Sequence, residues 1–466
     1  MKRMRSAALL GAVALVAAAC SSSSGNSSGT TAAAGTTAAA GTTAAAATTA
    51  AAGSAAPGTT GGSTGSTPSS VDTSKNTASD TGITKDTVTI GLLTSVTGVA
   101  SSTFKDTADG ANARIQAQNA AGGVFGRKIV LKVADDASTV PGDLTASQSL
   151  VQQDKVFAVI GYSPYQFGGY RYLQQQGIPV TGSGFDGPEW HTLPNTNMFS
   201  WSAFSSNSDA YSTDGIFWKK LGATTMGAIH YADSPSSTGS IEQMQTAVEG
   251  AGLKMPINKG VAFGTVDVTG PVLEMKSAKV DGAACSCVDS TNLAMMGAIK
   301  NANLPNFKGA IAFSGPTDNV FANSTATAAA EGNYFRSEQT PIIDQTNPAM
   351  QTWKANMTKY IPSYKGSFPT YGVTGGYISA DLMIQMLMQG GQNPTRKTVM
   401  DNTRANVHDY NAEGINASSV DFSIAAFEQG SADEVCYYYP TVKSGKWVDT
   451  LGKICGARIP NSTPKG

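Results

Sequence analysis

Strand-like and helix-like patterns of apolar residues alternate along the chain from about residue 83. Residues 87–93, TVTIGLL, combine β-branched and apolar side chains and predict a strand. Apolar residues then recur at helical spacing between Phe104 and Ile115, and this predicted helix ends at Gly122. The folded part of the chain therefore opens with a strand followed by a helix.

The same order of elements continues after this first pair. Further strands are predicted at 128–133, 156–161 and 178–180, with helices at 144–153 and 166–176. A second series has predicted strands at 225–231, 282–288 and 309–314, with helices at 241–251 and 293–302. Strands that alternate with helices in this way form a parallel sheet with helices on both faces. The predicted fold class is therefore α/β.

Two successive α/β series predict two lobes. Residues 83–466 also exceed the length that one hydrophobic core usually supports. In open parallel sheets, ligands bind beyond the carboxyl ends of the strands. With two such sheets facing each other, the expected ligand site is the cleft between the lobes.

The amino terminus has the organisation of a bacterial secretion signal. Three basic residues among the first five precede an apolar run at 7–19, which is too short to span a bilayer comfortably. The sequence VAAAC that ends at Cys20 resembles a lipobox, in which the chain is cleaved before the cysteine and the cysteine is acylated. We predict a lipoprotein signal peptide at 1–19 and lipidation of Cys20. The alternative is an ordinary signal peptide with a chance cysteine.

The segment after Cys20 is a low-complexity tract. Residues 21–70 contain no charged residue and no Val, Ile, Leu, Met, Phe, Tyr or Trp. Such a segment has nothing to bury that would offset the entropy of ordering it. A flexible coil of about 60 residues spans roughly 40 Å. We predict that residues 20–82 comprise the lipidated cysteine and a disordered linker, which tether a folded domain to a membrane surface.

Charge and motifs argue against several classes of function. The formal net charge is -1, and it becomes about -4 when the three basic residues of the signal peptide are removed. No basic patch favours a nucleic-acid partner. The three histidines, His191, His230 and His408, belong to no H-E-x-x-H motif, and the chain has no P-loop motif. The letters G-x-S-x-G occur at 25–29 and 61–65, within the low-complexity tract and away from the predicted strands and helices that this motif requires. We therefore expect no enzyme activity, no metal and no cofactor.

Residues 182–187 match the letters of the dinucleotide motif G-x-G-x-x-G. That motif opens a helix early in the first βαβ unit, whereas here PEWHTLP follows it. We interpret the segment as a turn-rich ligand loop.

Four cysteines remain besides Cys20. Cys436 and Cys455 flank a predicted strand, turn and strand, and we predict a disulfide between them, which an extracytoplasmic location permits. Cys285 and Cys287 lie on one face of a predicted strand, about 6.5–7 Å apart at the limit for a bridge. Two alternatives stay open for this second pair: two buried small side chains, or a tight disulfide beside the cleft.

The stretch IGLLTSVTGVASSTFKDTADGANARIQAQNAAGGVFGRKIVLKVADDAS resembles the opening of the branched-chain amino-acid-binding proteins, type I solute-binding subunits of ABC transporters. After the first strand, the matching positions are Thr97-Gly98, Gly110-Ala111, Gly122-Gly123, Gly126-Arg127 and Asp135-Asp136. The segments VFAVIGYSP and QQQGIPVTGSG continue the resemblance, which covers residues 84–455 at the level of pattern.

The resemblance implies a two-lobed fold in which each lobe is discontinuous in sequence. The implied lobe 1 comprises 83–205 and 336–414, and the implied lobe 2 comprises 206–335 and 415–458. The implied crossovers lie near Ser205, Phe335 and Gly414. Each lobe is expected to be a parallel sheet with helices on both faces.

The resemblance also places ligand contacts in the loops that follow strands. On lobe 1 these residues are Ser163, Tyr165, Gln166, Ser183, Gly184 and Phe185. On lobe 2 they are Tyr231, Asp233, Asp289, Ser290, Thr317 and Asp318. The alternative is that they are ordinary turn and helix-cap residues, which Ser, Thr and Asp favour.

Roles for these residues follow from their chemistry. Ser163 and Ser183, with the N–H groups of residues 165–166, would hold a carboxylate, since a helix start offers free N–H groups. Asp289 or Asp318 would accept an amino group. The aromatic residues among them, Tyr165, Phe185 and Tyr231, would set the shape of the pocket.

The chain departs from the family pattern at two loops. Pro164, Tyr165 and Gln166 stand where branched-chain binders have a Ser/Thr-rich loop, and the large Phe185 stands where small residues are usual. Both changes reshape the pocket. They favour a flat or short ligand over leucine.

The resemblance implies a lipid-anchored, extracytoplasmic protein on the outer face of the cytoplasmic membrane. It would capture a small polar ligand, such as an amino acid or a related carboxylate or amide, and deliver it to ABC permease subunits. The lipid would be its only membrane attachment, and we expect a monomer. The alternatives are a ligand-sensing receptor domain for a membrane signalling partner and a surface adhesin on a stalk.

Overall fold

The computed structural model describes residues 71–203, 208–429 and 432–463. The predicted signal peptide, Cys20 and the linker up to residue 70 lie outside the described residues, and so does the crossover predicted near Ser205. Among the described helices, none combines the length and the apolar character that crossing a bilayer requires.

Strands and helices alternate through most of the described chain. The strands are β1 (Thr87–Thr94), β2 (Lys128–Asp135), β3 (Ala158–Gly161), β4 (Val180–Gly182), β5 (Met198–Ser200), β6 (Thr225–Tyr231), β7 (Lys254–Val261), β8 (Gly282–Ser286), β9 (Gly309–Ala312), β10 (Tyr334–Phe335), β11 (Glu434–Tyr437), β12 (Thr441–Lys443), β13 (Lys446–Val448) and β14 (Ile454–Ala457). The α-helices are α1 (Ser101–Phe104), α2 (Thr107–Ala120), α3 (Val140–Gln152), α4 (Tyr170–Gln175), α5 (Thr213–Lys220), α6 (Pro235–Gly250), α7 (Thr269–Ser277), α8 (Asp289–Ala302), α9 (Ser324–Ala330), α10 (Pro348–Tyr360), α11 (Tyr371–Gln389), α12 (Arg396–Asn406) and α13 (Ile424–Gln429).

The strands form two main sheets. Within the described residues, the first sheet has five parallel strands in the order β2-β1-β3-β4-β5. The second has the order β13-β12-β10-β9-β8-β6-β7, in which only β12 and β13 run antiparallel to their neighbours. The inner strand β3, AVIG, is buried along its whole length, as expected for a parallel sheet covered on both faces. The fold class is therefore the predicted two-lobed α/β arrangement.

Helix α11 returns from late in the sequence to pack against α2 and against β3 and β4 of the first sheet. Glycines make this close approach possible: a Cβ at Gly110 would lie 1.8 Å from the carbonyl oxygen of Val373. A buried ion pair joins the same helices, with Arg114 Nε 2.7 Å from Asp381 Oδ1. This packing fixes the start of α11, and with it Tyr371, at the carboxyl end of the first sheet.

The described residues include 71–82, which form the end of the predicted linker. The Asn76 side chain donates to the carbonyl oxygens of Lys85 and Phe125, and Arg127 donates to the carbonyl oxygen of Thr77. Polar contacts, rather than apolar burial, hold this segment. Residues 71–82, the end of the predicted linker, therefore contact the folded domain through polar groups.

Two helices differ from their predicted bounds because of local capping and glycine residues. Helix α3 begins at Val140, before the predicted residue 144, because Thr139 caps it by accepting the N–H of Gly142. The helix predicted at 166–176 is divided into a 3₁₀ turn at Gln166–Gly168 and the short α4. The glycine pair 168–169 lies at the break.

Two disulfides are present among the described residues. Cys436 and Cys455 are directly paired across β11 and β14, with their Cα atoms 4.0 Å apart, as predicted. Cys285 and Cys287 are also bonded, so the disulfide alternative holds for this pair. Their Cα atoms are 5.3 Å apart, closer than in an extended strand, because the chain turns where β8 ends at Ser286.

Candidate functional site

A cavity of about 100 Å³ lies where the carboxyl ends of the two sheets face each other. Its lining comes from loops after strands, as the sequence predicted, and from the starts of α6 and α11. The lining residues are Thr103, Phe104, Pro164, Phe185, Tyr231, Ser234, Ser236, Ser237, Ser240, Phe263, Ser286, Cys287, Val288, Phe313, Ser314, Arg336, Glu338 and Tyr371.

One side of the cavity, here called the aromatic wall, consists of Phe104, Phe185 and Tyr371. Phe104 and Phe185 are stacked with ring centroids 5.5 Å apart, and Tyr371 meets Phe185 edge-on at 5.7 Å. Tyr162 lies behind them, 5.2 Å from Phe185. These rings offer a ligand apolar area and fixed geometry.

The opposite side, here called the serine wall, consists of Ser234, Ser236, Ser237 and Ser240 at the start of α6. Ser234 is the N-cap and accepts the N–H of Ser237. Proline at the first helical position has no N–H. A helix start carries unpaired N–H groups and a partial positive charge, so this wall favours negatively charged groups.

Contacts cross the cleft beside the cavity. The Tyr165 ring, from the first sheet's side, lies 5.2 Å from the Phe263 ring, from the second sheet's side. The N–H of Asp289 donates to Thr103 Oγ1 at 3.2 Å. The two sides therefore touch beside the cavity, which is itself partly open to solvent.

The Cys285–Cys287 disulfide lies at the edge of the serine wall, and Cys287 itself lines the cavity. Between the two cysteines, the carbonyl oxygen of Ser286 accepts a hydrogen bond of 2.5 Å from Ser237 Oγ. Ser237 Oγ in turn accepts the N–H of Tyr231 at 2.8 Å. The disulfide and these bonds fix the start of α6 relative to the ends of β6 and β8.

Two charged residues line a further part of the cavity. Arg336 is paired with Asp214 at 2.9 Å, and its guanidinium lies 3.5 Å from the centroid of the Phe313 ring. Burial raises the pKa of Glu338, against the opposing effects of a hydrogen bond with Ser202 and the charge of Arg336. Glu338 is the only acidic residue in the cavity lining among the described residues.

Only one of the predicted ligand contacts on lobe 1 lines the cavity. Phe185 lines the cavity, whereas Ser163 is buried and its hydroxyl donates to Asp136. The N–H of Tyr165 donates to Ser163 Oγ at 3.0 Å, and the N–H of Gln166 donates to the Ser163 carbonyl oxygen. The groups expected to hold a carboxylate are therefore engaged with one another.

Two further lobe 1 residues lie close to the cavity without being part of its lining. Ser183 is buried, and it lies near the hydroxyls of Tyr162 and Tyr371. Gly184 has a φ of +67°, and a Cβ there would lie 2.9 Å from Ser200 Oγ. Gly184 therefore shapes the loop that carries Phe185.

The predicted ligand contacts on lobe 2 also differ in their position relative to the cavity. Tyr231 lines the cavity, and its hydroxyl pairs with Thr291 Oγ1 at 2.7 Å. Asp289 lies just behind the lining, where burial raises its pKa to about 6 against hydrogen bonds from Ser314, Asn319 and Thr103.

Four predicted residues of lobe 2 lie away from this cavity. Asp318 accepts the indole N–H of Trp447 at 2.9 Å and, with Thr317, lines a second cavity of about 280 Å³. Asp233 is exposed, and Ser290 follows Asp289 into α8. Ligand roles for these four residues stay predictions.

Sequence reasoning missed the serine wall, Arg336 and Glu338. The segment SPSSTGS at 234–240 has the letters of a helix cap and its first turns. A signal was available, because this segment follows the predicted strand 225–231, and residues after parallel strands lie at the ligand edge. Arg336 and Glu338 gave no such signal, since their surroundings come from distant segments.

Comparisons with known proteins agree with this geometry. A family model described as "Periplasmic binding protein" matches residues 87–435, more than half of the chain. The chain therefore belongs to the periplasmic binding protein family, and the match confirms the resemblance to the type I branched-chain amino-acid binders. Members of this family are extracytoplasmic solute-binding proteins. No curated protein matches the chain by sequence.

Several solved structures share the fold. A fatty acid ABC transporter substrate-binding protein from Thermomonospora curvata is 17% identical, with a TM-score of 0.67 over 82% of this chain and 95% of that one. The branched-chain amino acid transporter substrate-binding protein LivJ from Streptococcus pneumoniae, in complex with isoleucine, is 17% identical, with a TM-score of 0.64 over 80% and 100%. A solute-binding protein from R. palustris in complex with benzoate is 18% identical, with a TM-score of 0.65 over 81% and 99%.

Proposed function

We propose that the protein is a lipid-anchored solute-binding subunit that captures a small carboxylate or amino acid and delivers it to an ABC permease. The observation that carries this proposal is the partly open cavity of about 100 Å³ that lies between the aromatic wall and the serine wall. Contacts across the cleft hold the two sides together around it. A protein that captures a solute by closing two lobes requires this arrangement.

The size and lining of the cavity support a compact ligand. An engineered cavity of roughly 150 Å³ binds benzene, so this smaller space suits a body of similar or smaller size. The three similar structures described above are a fatty acid transporter's substrate-binding protein, a complex with isoleucine and a complex with benzoate. Each of these solutes joins an apolar body to a carboxylate, which is the combination that the two walls offer.

Thermal unfolding of the mature chain tests the proposal. Amino acids, aromatic acids, short fatty acids and amides are screened one by one. A true ligand at about 100 times its Kd stabilises the closed form by roughly 2.7 kcal/mol, which gives a clear rise in Tm. Ser240→Phe, which places a ring inside the cavity, is the matched control and should abolish the rise. If no small solute shifts the wild-type Tm, solute capture is rejected.

The anchor is tested separately. Cys20→Ala should move the protein from the membrane fraction to the soluble fraction and leave the ligand-induced rise in Tm unchanged. Retention of the variant in membranes after a high-salt wash would reject the lipid anchor.

A further inference from the structure

The start of α6 leaves hydrogen-bonding groups facing the cavity. Ser236 and Ser240 are each 6% exposed, and both line the cavity. They are four residues apart, which places them on one face of the helix. Ser240 Oγ has no hydrogen-bond partner among the described residues, although a buried hydroxyl almost always has one.

The backbone at the same place is also unsatisfied. The N–H of Ser236 donates to no acceptor within the described part of the chain. Ser237 differs, because its N–H is capped by Ser234 and its hydroxyl donates to the Ser286 carbonyl oxygen. One N–H and the Ser240 hydroxyl are therefore open toward the cavity, and the Ser236 hydroxyl is shared only with Ser234.

The loop at 163–166 lacks these properties. Its N–H groups at Tyr165 and Gln166 donate to Ser163, and the Ser163 hydroxyl donates to the buried Asp136. The helix that follows is only the 3₁₀ turn Gln166–Gly168. A carboxylate placed there would meet no free donor and would face the Asp136 carboxyl group.

We propose that the protein binds its ligand with the carboxylate on Ser236 and Ser240 at the start of α6, and with a compact apolar body against Phe104, Phe185 and Tyr371. This proposal rests on the proposed function and names its substrate class, a small monocarboxylate. The orientation is opposite to the one that the sequence predicted, in which the loop at 163–166 would hold the carboxylate.

The geometry suits a carboxylate better than an uncharged group. A helix start attracts negative charge, and two hydroxyls with one N–H match the acceptor-only oxygens of a carboxylate. Arg336 is not needed for this, because its charge is already paired with Asp214. The aromatic wall opposite supplies the apolar surface for the rest of the molecule.

Isothermal titration with matched acids and amides tests the proposal. The probes are benzoate and pentanoate, each beside its primary amide. The double variant Ser236→Ala/Ser240→Ala should weaken acid binding roughly tenfold to a hundredfold, the size of lost charge-assisted hydrogen bonds. Amide binding should weaken several-fold less than acid binding, because hydrogen bonds to an uncharged carbonyl oxygen contribute less than those to a carboxylate. Ser277→Ala, an exposed serine on α7, is the matched control and should change neither.

Three other outcomes are decisive. If Ser163→Ala weakens acid binding and the double variant does not, the subsite is wrong while solute capture stands. If the amides bind as tightly as the acids, or only solutes without a carboxylate bind, the carboxylate class is wrong. If no solute of any class binds, the proposed function itself fails.

Discussion

The aromatic wall and the serine wall of the cavity are held in place by different kinds of interaction. Rings pack against rings in the aromatic wall, where Phe104 and Phe185 stack and Tyr371 closes the cluster edge-on. The serine wall is fixed by hydrogen bonds from Tyr231 and to Ser286, and by the adjacent disulfide.

Because of this difference, we expect the two walls to select different properties of the ligand. The hydrophobic effect is non-directional and scales with the apolar area buried, so the aromatic wall determines how large an apolar body fits. Hydrogen bonds depend on distance and angle, so the serine wall determines which charged group is accepted. Changes to one wall should therefore alter size preference, and changes to the other should alter charge preference.

The largest effects are expected when each of the two disulfides is removed and the resulting variants are compared. Removing Cys436–Cys455 with two serines opens a loop of about 20 residues and should lower the free energy of unfolding by about 3 kcal/mol, with ligand affinity unchanged. Removing Cys285–Cys287 the same way opens a three-residue loop and should cost about 1.5 kcal/mol. Ligand affinity should then fall roughly tenfold, because the Ser286 carbonyl loses its fixed position.

Urea unfolding and isothermal titration of both double variants check this comparison. Each pair is the control for the other, since only Cys285 and Cys287 adjoin the serine wall. Equal affinities in the two variants would show that the Cys285–Cys287 disulfide has no part in positioning the ligand site.

A smaller effect is expected on the aromatic wall. Phe185→Ala should lower the free energy of unfolding by about 2 kcal/mol, below the value for a fully buried ring because Phe185 is only partly buried. The enlarged cavity should then favour longer acids over short ones, with the preference for acids over amides retained. Titration with acids of increasing chain length measures this shift.

The control for this variant is Phe427→Ala, which removes a buried ring that packs on His191 outside the cavity lining. It should destabilise the fold without changing the preferred chain length. A loss of acid-over-amide preference in Phe185→Ala would contradict the division of tasks between the walls.

The smallest effect concerns Glu338, which faces Arg336, itself paired with Asp214, inside the cavity lining. Because burial raises the pKa of Glu338, its carboxyl group is neutral below that pKa and becomes negative as the pH rises through it. Binding of an anion nearby should then weaken by about 0.5–1 kcal/mol, as for a partly screened charge pair. Benzoate titrations at several pH values should show this decline.

Glu338→Gln should abolish the decrease in benzoate affinity with rising pH. Benzamide affinity should not change with pH in either the wild type or the variant. The opposite result, in which the variant loses affinity for isoleucine but not for benzoate, would show that Glu338 binds an amino group. A decline of the same size in wild type and variant would exclude Glu338 as its cause.

Much of the fold could be predicted because the relevant signals are local in sequence. Residues 225–231 form β6 as predicted, and residues 87–93 form most of β1. Alternating burial along a strand and helical spacing along a helix are properties of a few neighbouring residues. The pairing of Cys436 with Cys455 could also be predicted from the sequence, since the two residues flank one short segment.

The composition of the cavity was decided only by tertiary structure. Ser163 is the kind of residue that holds a carboxylate, but Asp136, 27 residues earlier, engages its hydroxyl. Asp214, 122 residues before Arg336, neutralises the guanidinium in the lining. Ser236 and Ser240 have the letters of an ordinary helix start, until packing places Phe104 and Tyr371 opposite them. A side chain's availability depends on which distant groups are packed against it, and local sequence patterns carry no record of that packing.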